Sequence, residues 1–280
     1  MKPKLVRTLA ALRRETAKWR KDGLSCAVVP TMGAIHSGHM ELVTEGLKRA
    51  DRVITTIFVN PRQFAANEDL DKYPRDEDGD VLKLGKAGTH LVYVPNPEEI
   101  YPQGFCTTVS LAGPAKAGLE DKFRPQFFDG VATVVAKLFI QTGADFAMFG
   151  EKDYQQLKVV TRMAQDLDIP IDVVGVPTVR EDDGLAKSSR NVYLSKQERQ
   201  QALAIYSSIS HAAERIRGGL DLQSATRLAT RTLMALGFEV DYVTVRNADT
   251  LAPPQHRDEP LRIIAAAWLG KTRLIDNVAV

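Results

Sequence analysis

Five short apolar runs, Cys26 to Val29, Arg52 to Val59, Leu91 to Val94, Asp145 to Phe149 and Pro170 to Val176, alternate with segments of helical spacing. Runs of that length, buried on both faces and separated by helices, predict an α/β fold with a doubly wound parallel sheet. Parallel strands joined by helical crossovers bring their carboxyl ends to one edge, and ligands bind outside that edge. Functional residues are therefore sought immediately after each run.

The first run opens the stretch from Val28 to Gly46, which reads as strand, tight turn and helix start. Pro30 closes the strand, and Met40, Leu42, Val43 and Leu47 recur near the helical period from Ser37 onward. His36 and His39 then stand three apart at a helix N-terminus, where unpaired N–H groups and the positive end of the helix dipole attract anions. Gly33 and Gly38 carry no Cβ and let the backbone approach its guest closely, so a phosphate chain is expected there. A dedicated metal pair is the weaker reading, because His90, His211 and His256 are scattered without ligand-like spacing. The second run delivers Asn60-Pro61-Arg62-Gln63-Phe64. The fourth empties into Gly150-Glu151-Lys152-Asp153 at another helix start.

Elsewhere Leu5, Leu9, Leu12, Thr16 and Trp19 predict a first helix that Gly23 ends. Glu68 to Asp80 reads as an acidic, mostly solvated stretch leading into a short helix. Pro95 to Lys122 is irregular, with one alternating run, Cys106 to Leu111, that fits an edge strand. Gly130 to Gln141 is apolar almost all round and suits a helix buried on the sheet. After Val179 the pattern changes: an acidic break at Glu181 to Gly184, a polar turn, helices over Lys196 to Arg217 and Asp221 to Leu236, then strands over Glu239 to Val245, Leu261 to Trp268 and Thr272 to Val278. A Rossmann-like domain over 1–178 and a smaller α+β domain over 179–280 are expected, with the acidic break as a hinge.

Lysines plus arginines number 37 against 35 aspartates plus glutamates, interspersed and without a basic block, which argues against a nucleic-acid partner. Cys26 and Cys106 are too few for a disulfide framework and read as reduced, buried thiols. No signal-peptide pattern and no apolar run of bilayer length is present, so a cytoplasmic address away from membranes is expected.

The His36-Ser37-Gly38-His39 pattern after a first strand resembles the nucleotidyltransferase superfamily that also includes class I aminoacyl-tRNA synthetases. Pro30 to His39, Gly150 to Asp153 and Lys187 to Arg190 each offer groups suited to polyphosphate. With Asn60 to Phe64, Asp69 to Arg75 and Gly150 to Gln156 in this order, the chain resembles the pantothenate synthetase family over nearly its whole length. The resemblance implies condensation of (R)-pantoate with β-alanine, using ATP with Mg2+, through a pantoyl adenylate, releasing AMP and pyrophosphate. It also implies a homodimer.

By that resemblance Met32, Gly33, Ala34, Ile35, His36, Ser37, Gly38 and His39 form the first ATP segment, with His39 as proton donor and His36 as its phosphate-side companion. Gly150, Glu151, Lys152 and Asp153 form the second, with Lys152 on phosphate and Asp153 on ribose. Val179 offers a backbone contact to adenine, and Lys187, Ser188, Ser189 and Arg190 form the third segment. Gln63 and Gln156 hold pantoate, Gln63 also borders β-alanine, and Asn60 is a further pantoate candidate. Asp80 matches a metal-associated acid and equally fits a charged helix face. The family usually has a histidine where this chain has Phe127, which puts a polar role there in doubt. Two rivals are a nucleotidyltransferase that leaves AMP on a phosphate-bearing cofactor precursor, and a nucleotide-sensing domain without turnover. Gln63 and Gln156, amides where such a precursor calls for cations, argue against the first; three phosphate-type segments argue against the second.

Overall fold

The computed structural model describes residues 2–64, 70 and 73–280; Glu68 and Asp69, which figured in the acidic stretch, lie outside the described residues. The chain divides into two compact units, Met1–Glu151 with Gln155–Pro177, and Lys152–Tyr154 with Thr178–Val280.

The first unit runs β1 (Lys4–Val6), α1 (Leu9–Lys21), β2 (Cys26–Thr31), α2 (Ser37–Leu47), β3 (Arg52–Ile57), α3 (Glu77–Ala87), β4 (Leu91–Tyr93), α4 (Pro97–Ile100), α5 (Glu120–Phe123), α6 (Phe127–Thr142), β5 (Phe146–Gly150), α7 (Tyr154–Asp166, entering the unit at Gln155) and β6 (Asp172–Val176). The strands form one sheet in the order β1-β4-β3-β2-β5-β6, every neighbouring pair parallel. The doubly wound sheet expected from the alternation is thus present. Alternation along β2 explains its two buried faces: Ala27 and Val29 join Leu42 and Val43 of α2 and Leu84 of α3 in one core cluster, and Val28 between them is also fully buried. α6 is buried over most of its circumference, as its composition predicts.

The sheet order reverses at β2. From there the chain winds outward through β3 and β4, then returns to place β5 on the opposite side. β2 pairs with β5 only through Ala27 and Val28, so their pairing ends short of the carboxyl ends, at the switch in strand order where parallel sheets of this kind bind ligands. Pro30, expected to close the strand, lies inside it, paired with Thr56 on the β3 side. Pairing with β5 has already stopped there, so the missing N–H costs nothing.

Other expectations are corrected. Leu5 belongs to an edge strand paired with β4, and the first helix starts only at Leu9, capped by the Thr8 side chain. Cys106 to Leu111 forms no strand: the Val109 N–H donates to Thr133 Oγ1 of α6, a side-chain partner in place of a neighbouring strand. Cys106 is accordingly exposed, not buried.

The second unit contains α8 (Lys196–Gln201), α9 (Leu203–Arg217), α10 (Leu222–Ala235), and an antiparallel sheet of β7 (Glu239–Asn247), β8 (Leu261–Leu269) and β9 (Thr272–Ala279). The single helix expected over Lys196 to Arg217 is broken at Ala202. Ile205, Ile209 and Ile216 of α9 and Ala225, Ala229 and Leu233 of α10 pack with Ile263, Ala265 and Ala267 of β8 in one core. The acidic break is a tight turn inside this unit, between residues that bridge at Arg180 and Ala186. No described helix is long and apolar enough to cross a membrane.

Burial, reinforced by Asp145, pushes the Cys26 thiol up to about 12. Near neutral pH a maleimide should therefore modify Cys106 in the native protein and reach Cys26 only on unfolding, because the thiolate is the reactive form. Equal labelling of both cysteines in folded protein, read by peptide mass mapping, would contradict this packing.

Candidate active site

The turn after β2 is fastened before any ligand arrives. Thr31 Oγ1 donates to the Thr56 carbonyl at 2.7 Å and accepts the Gly33 N–H at 3.2 Å. Gly33 and Ala34 then adopt positive φ values of 84° and 51°, turning the chain sharply toward α2. A Cβ on Gly33 would also lie 3.0 Å from Asp80 Oδ2, so this carboxylate occupies the space a side chain would need.

Asp80 is 1% exposed, which corrects its reading as part of a charged, solvated helix face. Its Oδ1 accepts the Ile35 N–H at 2.8 Å, and Lys83 one turn later donates to the Ile35 carbonyl at 3.0 Å. One turn of α3 therefore grips both polar groups of the Ile35 residue. Ile35 itself is buried in the core cluster beneath α2.

Its neighbour His36 is the N-cap of α2, with Nδ1 accepting the Gly38 N–H at 3.1 Å. His39 reciprocates, its Nδ1 accepting the His36 N–H at 3.4 Å. The imidazoles thus replace the usual Ser/Glu pair of a capping box. A ring nitrogen that accepts an N–H carries no proton, so the neutral tautomer of each ring bears its proton on Nε2. The ring centroids lie 4.1 Å apart. Met32, Gly33, Ala34, Ile35, Ser37 and Gly38 complete this turn, which leaves the carboxyl end of β2.

At the end of neighbouring β3, Asn60 is 1% exposed and caps a short 3-10 helix over Pro61–Gln63. Its Oδ1 accepts from the Arg62 N–H at 3.2 Å and the Tyr101 hydroxyl at 2.8 Å. Its Nδ2 donates to Gln63 Oε1 and to the Gly130 carbonyl, both at 3.1 Å. All four bonding positions of this amide are filled by protein groups. Gln63 Nε2 points to Met32 Sδ at 2.8 Å, so the second strand end touches the first segment. Arg124 donates to the Gln63 carbonyl at 3.0 Å while its guanidinium lies 3.7 Å from the Phe127 ring centroid. Phe127 is thus a cation–π platform for the arginine that holds Gln63. α6 also comes very close here: a Cβ on Gly130 would stand 2.3 Å from the Arg62 carbonyl.

Gly150 ends β5, with Glu151 after it. The adjacent glutamines of α7 divide their work. Gln155 is buried, donating to Pro114 O at 2.8 Å and Asp121 Oδ1 at 3.0 Å and accepting the Glu120 N–H at 3.0 Å, whereas Gln156 is half-buried.

Within the second unit Lys152 Nζ lies 3.8 Å from Asp153 Oδ2, and its backbone carbonyl accepts from Asn277 Nδ2 at 3.0 Å. Val179 O accepts the Lys187 N–H at 2.9 Å, and Lys187 Nζ is 3.1 Å from Glu181 Oε2. Ser188 caps a 3-10 helix over Ser189–Tyr193, its Oγ accepting the Arg190 N–H at 3.3 Å. Among the described residues no three His, Cys, Asp or Glu side chains gather in a way that could hold a metal.

A family model described as pantoate-beta-alanine ligase matches residues 4–279. The chain belongs to that family. It is 53% identical over 279 residues to the pantothenate synthetase of Bradyrhizobium sp. (strain BTAi1 / ATCC BAA-1182), with 99% of each chain covered. The pantothenate synthetase of Caulobacter vibrioides is likewise 53% identical, over 282 residues and 99% of each chain. The crystal structure of the Thermus thermophilus pantothenate synthetase is similar with a TM-score of 0.91 at 43% identity, covering 98% of each chain. A pantoate-beta-alanine ligase from Francisella tularensis, complexed with beta-gamma ATP and beta-alanine, gives a TM-score of 0.82 at 30% identity, with 99% and 97% covered. Family membership makes the chain a ligase.

Sequence reasoning picked out the histidine turn, Asn60 and Gln63 but missed Tyr101, which holds Asn60, and Arg124, which holds Gln63. Arg124 stands three residues before Phe127, a spacing that could have paired them; Tyr101 gives no local signal. Asp80→Ala should cost about 1–3 kcal/mol, because it strips the Ile35 N–H of its buried acceptor. Urea denaturation checks this, and Asp80→Asn, which retains an acceptor oxygen, should lose less.

Proposed function

We propose that this chain joins (R)-pantoate to β-alanine through a pantoyl adenylate. The observation that supports the reading is the histidine pair: both Nδ1 atoms accept backbone N–H groups at a helix N-terminus after the central strand, so in the neutral rings the proton sits on Nε2 and can be donated. Membership of the ligase family and the ATP and beta-alanine complex of the Francisella relative support the substrates.

In the first step a pantoate carboxylate oxygen bonds to the α-phosphorus as the bond to pyrophosphate breaks. In the second the β-alanine nitrogen bonds to the pantoyl carbon, AMP leaves with the C–O electron pair, and the amine loses a proton. The first step gathers negative charge on phosphoryl oxygens, so fixed donors stabilise it without any covalent enzyme intermediate. His39 is the proton donor in this reading and His36 its companion. Met32 to His39 and Gly150 with Glu151 line ATP, Lys152 and Lys187 act on its phosphates with Ser188, Ser189 and Arg190, Asp153 serves the ribose and Val179 the adenine.

Gln63 and Gln156 hold pantoate, and Gln63 borders β-alanine. Asn60, whose amide is fully used within the protein, acts through Gln63. Asp80 offers an oxygen donor of the right kind for magnesium, yet it is buried and spent on Ile35, so it does not fit as the core of a protein-built metal site. Magnesium then comes with ATP, retaining phosphate and water ligands. A cytoplasmic homodimer accompanies the reading, by family resemblance.

Labelled pyrophosphate should exchange into ATP with pantoate present and β-alanine omitted. AMP retained on an acceptor would instead indicate a nucleotidyltransferase, and no exchange would defeat the adenylate route. In the same assay His39→Ala should fall roughly 10²- to 10³-fold, the usual cost of removing a preorganised donor. Near-normal exchange by the folded variant would remove His39 from the chemistry.

Gln63→Ala should raise the KM for pantoate much more than that for ATP, in keeping with about 1–3 kcal/mol for leaving a charged partner unpaired. Steady-state kinetics against each substrate measure the split; a selective effect on ATP would reverse the assignment.

A further inference from the structure

β9 carries two buried polar residues side by side, Asp276 at 1% and Asn277 at 3% exposure. Burying a carboxylate and an amide in a strand is costly unless each is fully paired, and neither is needed for the sheet's own hydrogen bonds. Successive side chains of a strand point to opposite faces, so the pair reaches in two directions.

On one face Asp276 takes both arms of Arg180, Oδ2 at 2.6 Å and Oδ1 at 2.9 Å, a bidentate pairing. Arg180 also stacks on Tyr206 at 3.7 Å and donates to the Gly184 carbonyl at 3.1 Å, fixing the turn from which the chain returns to Lys187. On the other face Arg262 Nε donates to Asn277 Oδ1 at 2.6 Å. That bond decides which end of the amide is the acceptor and aims Nδ2 at the Lys152 carbonyl, 3.0 Å away. Arg262 further stacks on Tyr154 at 3.8 Å, and the Tyr154 hydroxyl donates to the Ala248 carbonyl at 2.9 Å. The short segment Lys152–Tyr154 is therefore held at its backbone, its ring and its hydroxyl, although none of its residues belongs to the sheet.

We propose that Asn277 is a positioning residue for Lys152: by donating to the Lys152 carbonyl, it fixes the backbone from which the lysine presents its ammonium to the phosphates of ATP. Asp276 does the same, through Arg180, for the turn that carries Lys187. This rests on the reading that Lys152 serves the phosphates. A positioning role of this kind belongs to the adenylation step alone, because pyrophosphate has left before β-alanine attacks.

The test is a double-mutant cycle on the full chain, using Lys152→Ala, Asn277→Asp and the double variant. Asn277→Asp retains the acceptor for Arg262 and replaces only the donor facing Lys152. Single-turnover release of pyrophosphate from ATP and pantoate is measured beside transfer from preformed pantoyl adenylate to β-alanine. Asn277→Asp should slow adenylation by about 10- to 100-fold, the scale of a misplaced group, with transfer unchanged. The double variant should be no slower than Lys152→Ala. Multiplying losses, or equal losses in both half-reactions, would overturn the proposal. So would an unaffected Asn277→Asp where Lys152→Ala is impaired. Lys152→Ala that adenylates normally would instead overturn the phosphate reading beneath it. Asn277→Ser, too short to reach Lys152, runs through the same cycle and decides the matter if Asn277→Asp does not fold.

Discussion

The constraint on which the first unit depends is that β2 must be buried on both faces and yet end in a polar turn. Its residues through Val29 are fully interior, while the segment from Thr31 to His39 needs partners for a run of backbone groups in a sharply turned conformation. The protein meets that need from neighbouring elements: Thr31 reaches across to β3, and α3 supplies Asp80 and Lys83 to the two sides of Ile35. α2 supplies its own cap from the two imidazoles. Orphan N–H groups at a helix start are usually capped by small hydroxyl or carboxylate residues. Here the cap and the candidate proton donors are the same side chains, so their tautomer is set by the helix itself.

Much of this was legible in the sequence, because strand and helix periodicities are local. Strands β2 to β6, α2 and the histidine turn all follow from spacing within a dozen residues. Three of the failures share one cause, a partner distant in sequence. Leu5 fits the spacing of the helix that follows, and only pairing with Val92 of β4 makes it a strand residue. Cys106 to Leu111 alternates like a strand, but its neighbour is a helix side chain. Asp80 sits among exposed acids in the sequence, and nothing local marks it as the one turned inward to Ile35.

The two candidate site regions are held by different means. Around Gln63 the grip is a set of neutral amide and hydroxyl bonds centred on Asn60, with one arginine added. In the second unit it is mainly charge: Arg180 pairs with Asp276 and Arg273 with Asp241, while Arg262 donates to the neutral amide of Asn277. Breaking one member of a buried ion pair leaves a charge stranded, so the second arrangement tolerates substitution poorly.

Phe127 gives the first arrangement a property of its own. The histidine that the family resemblance leads one to expect at this position would gain or lose a proton across the physiological range. This chain has a benzene ring stacked under the Arg124 guanidinium instead. A benzene ring carries no ionisable group, so the surface on which Arg124 rests while it donates to the Gln63 carbonyl does not itself change charge with pH.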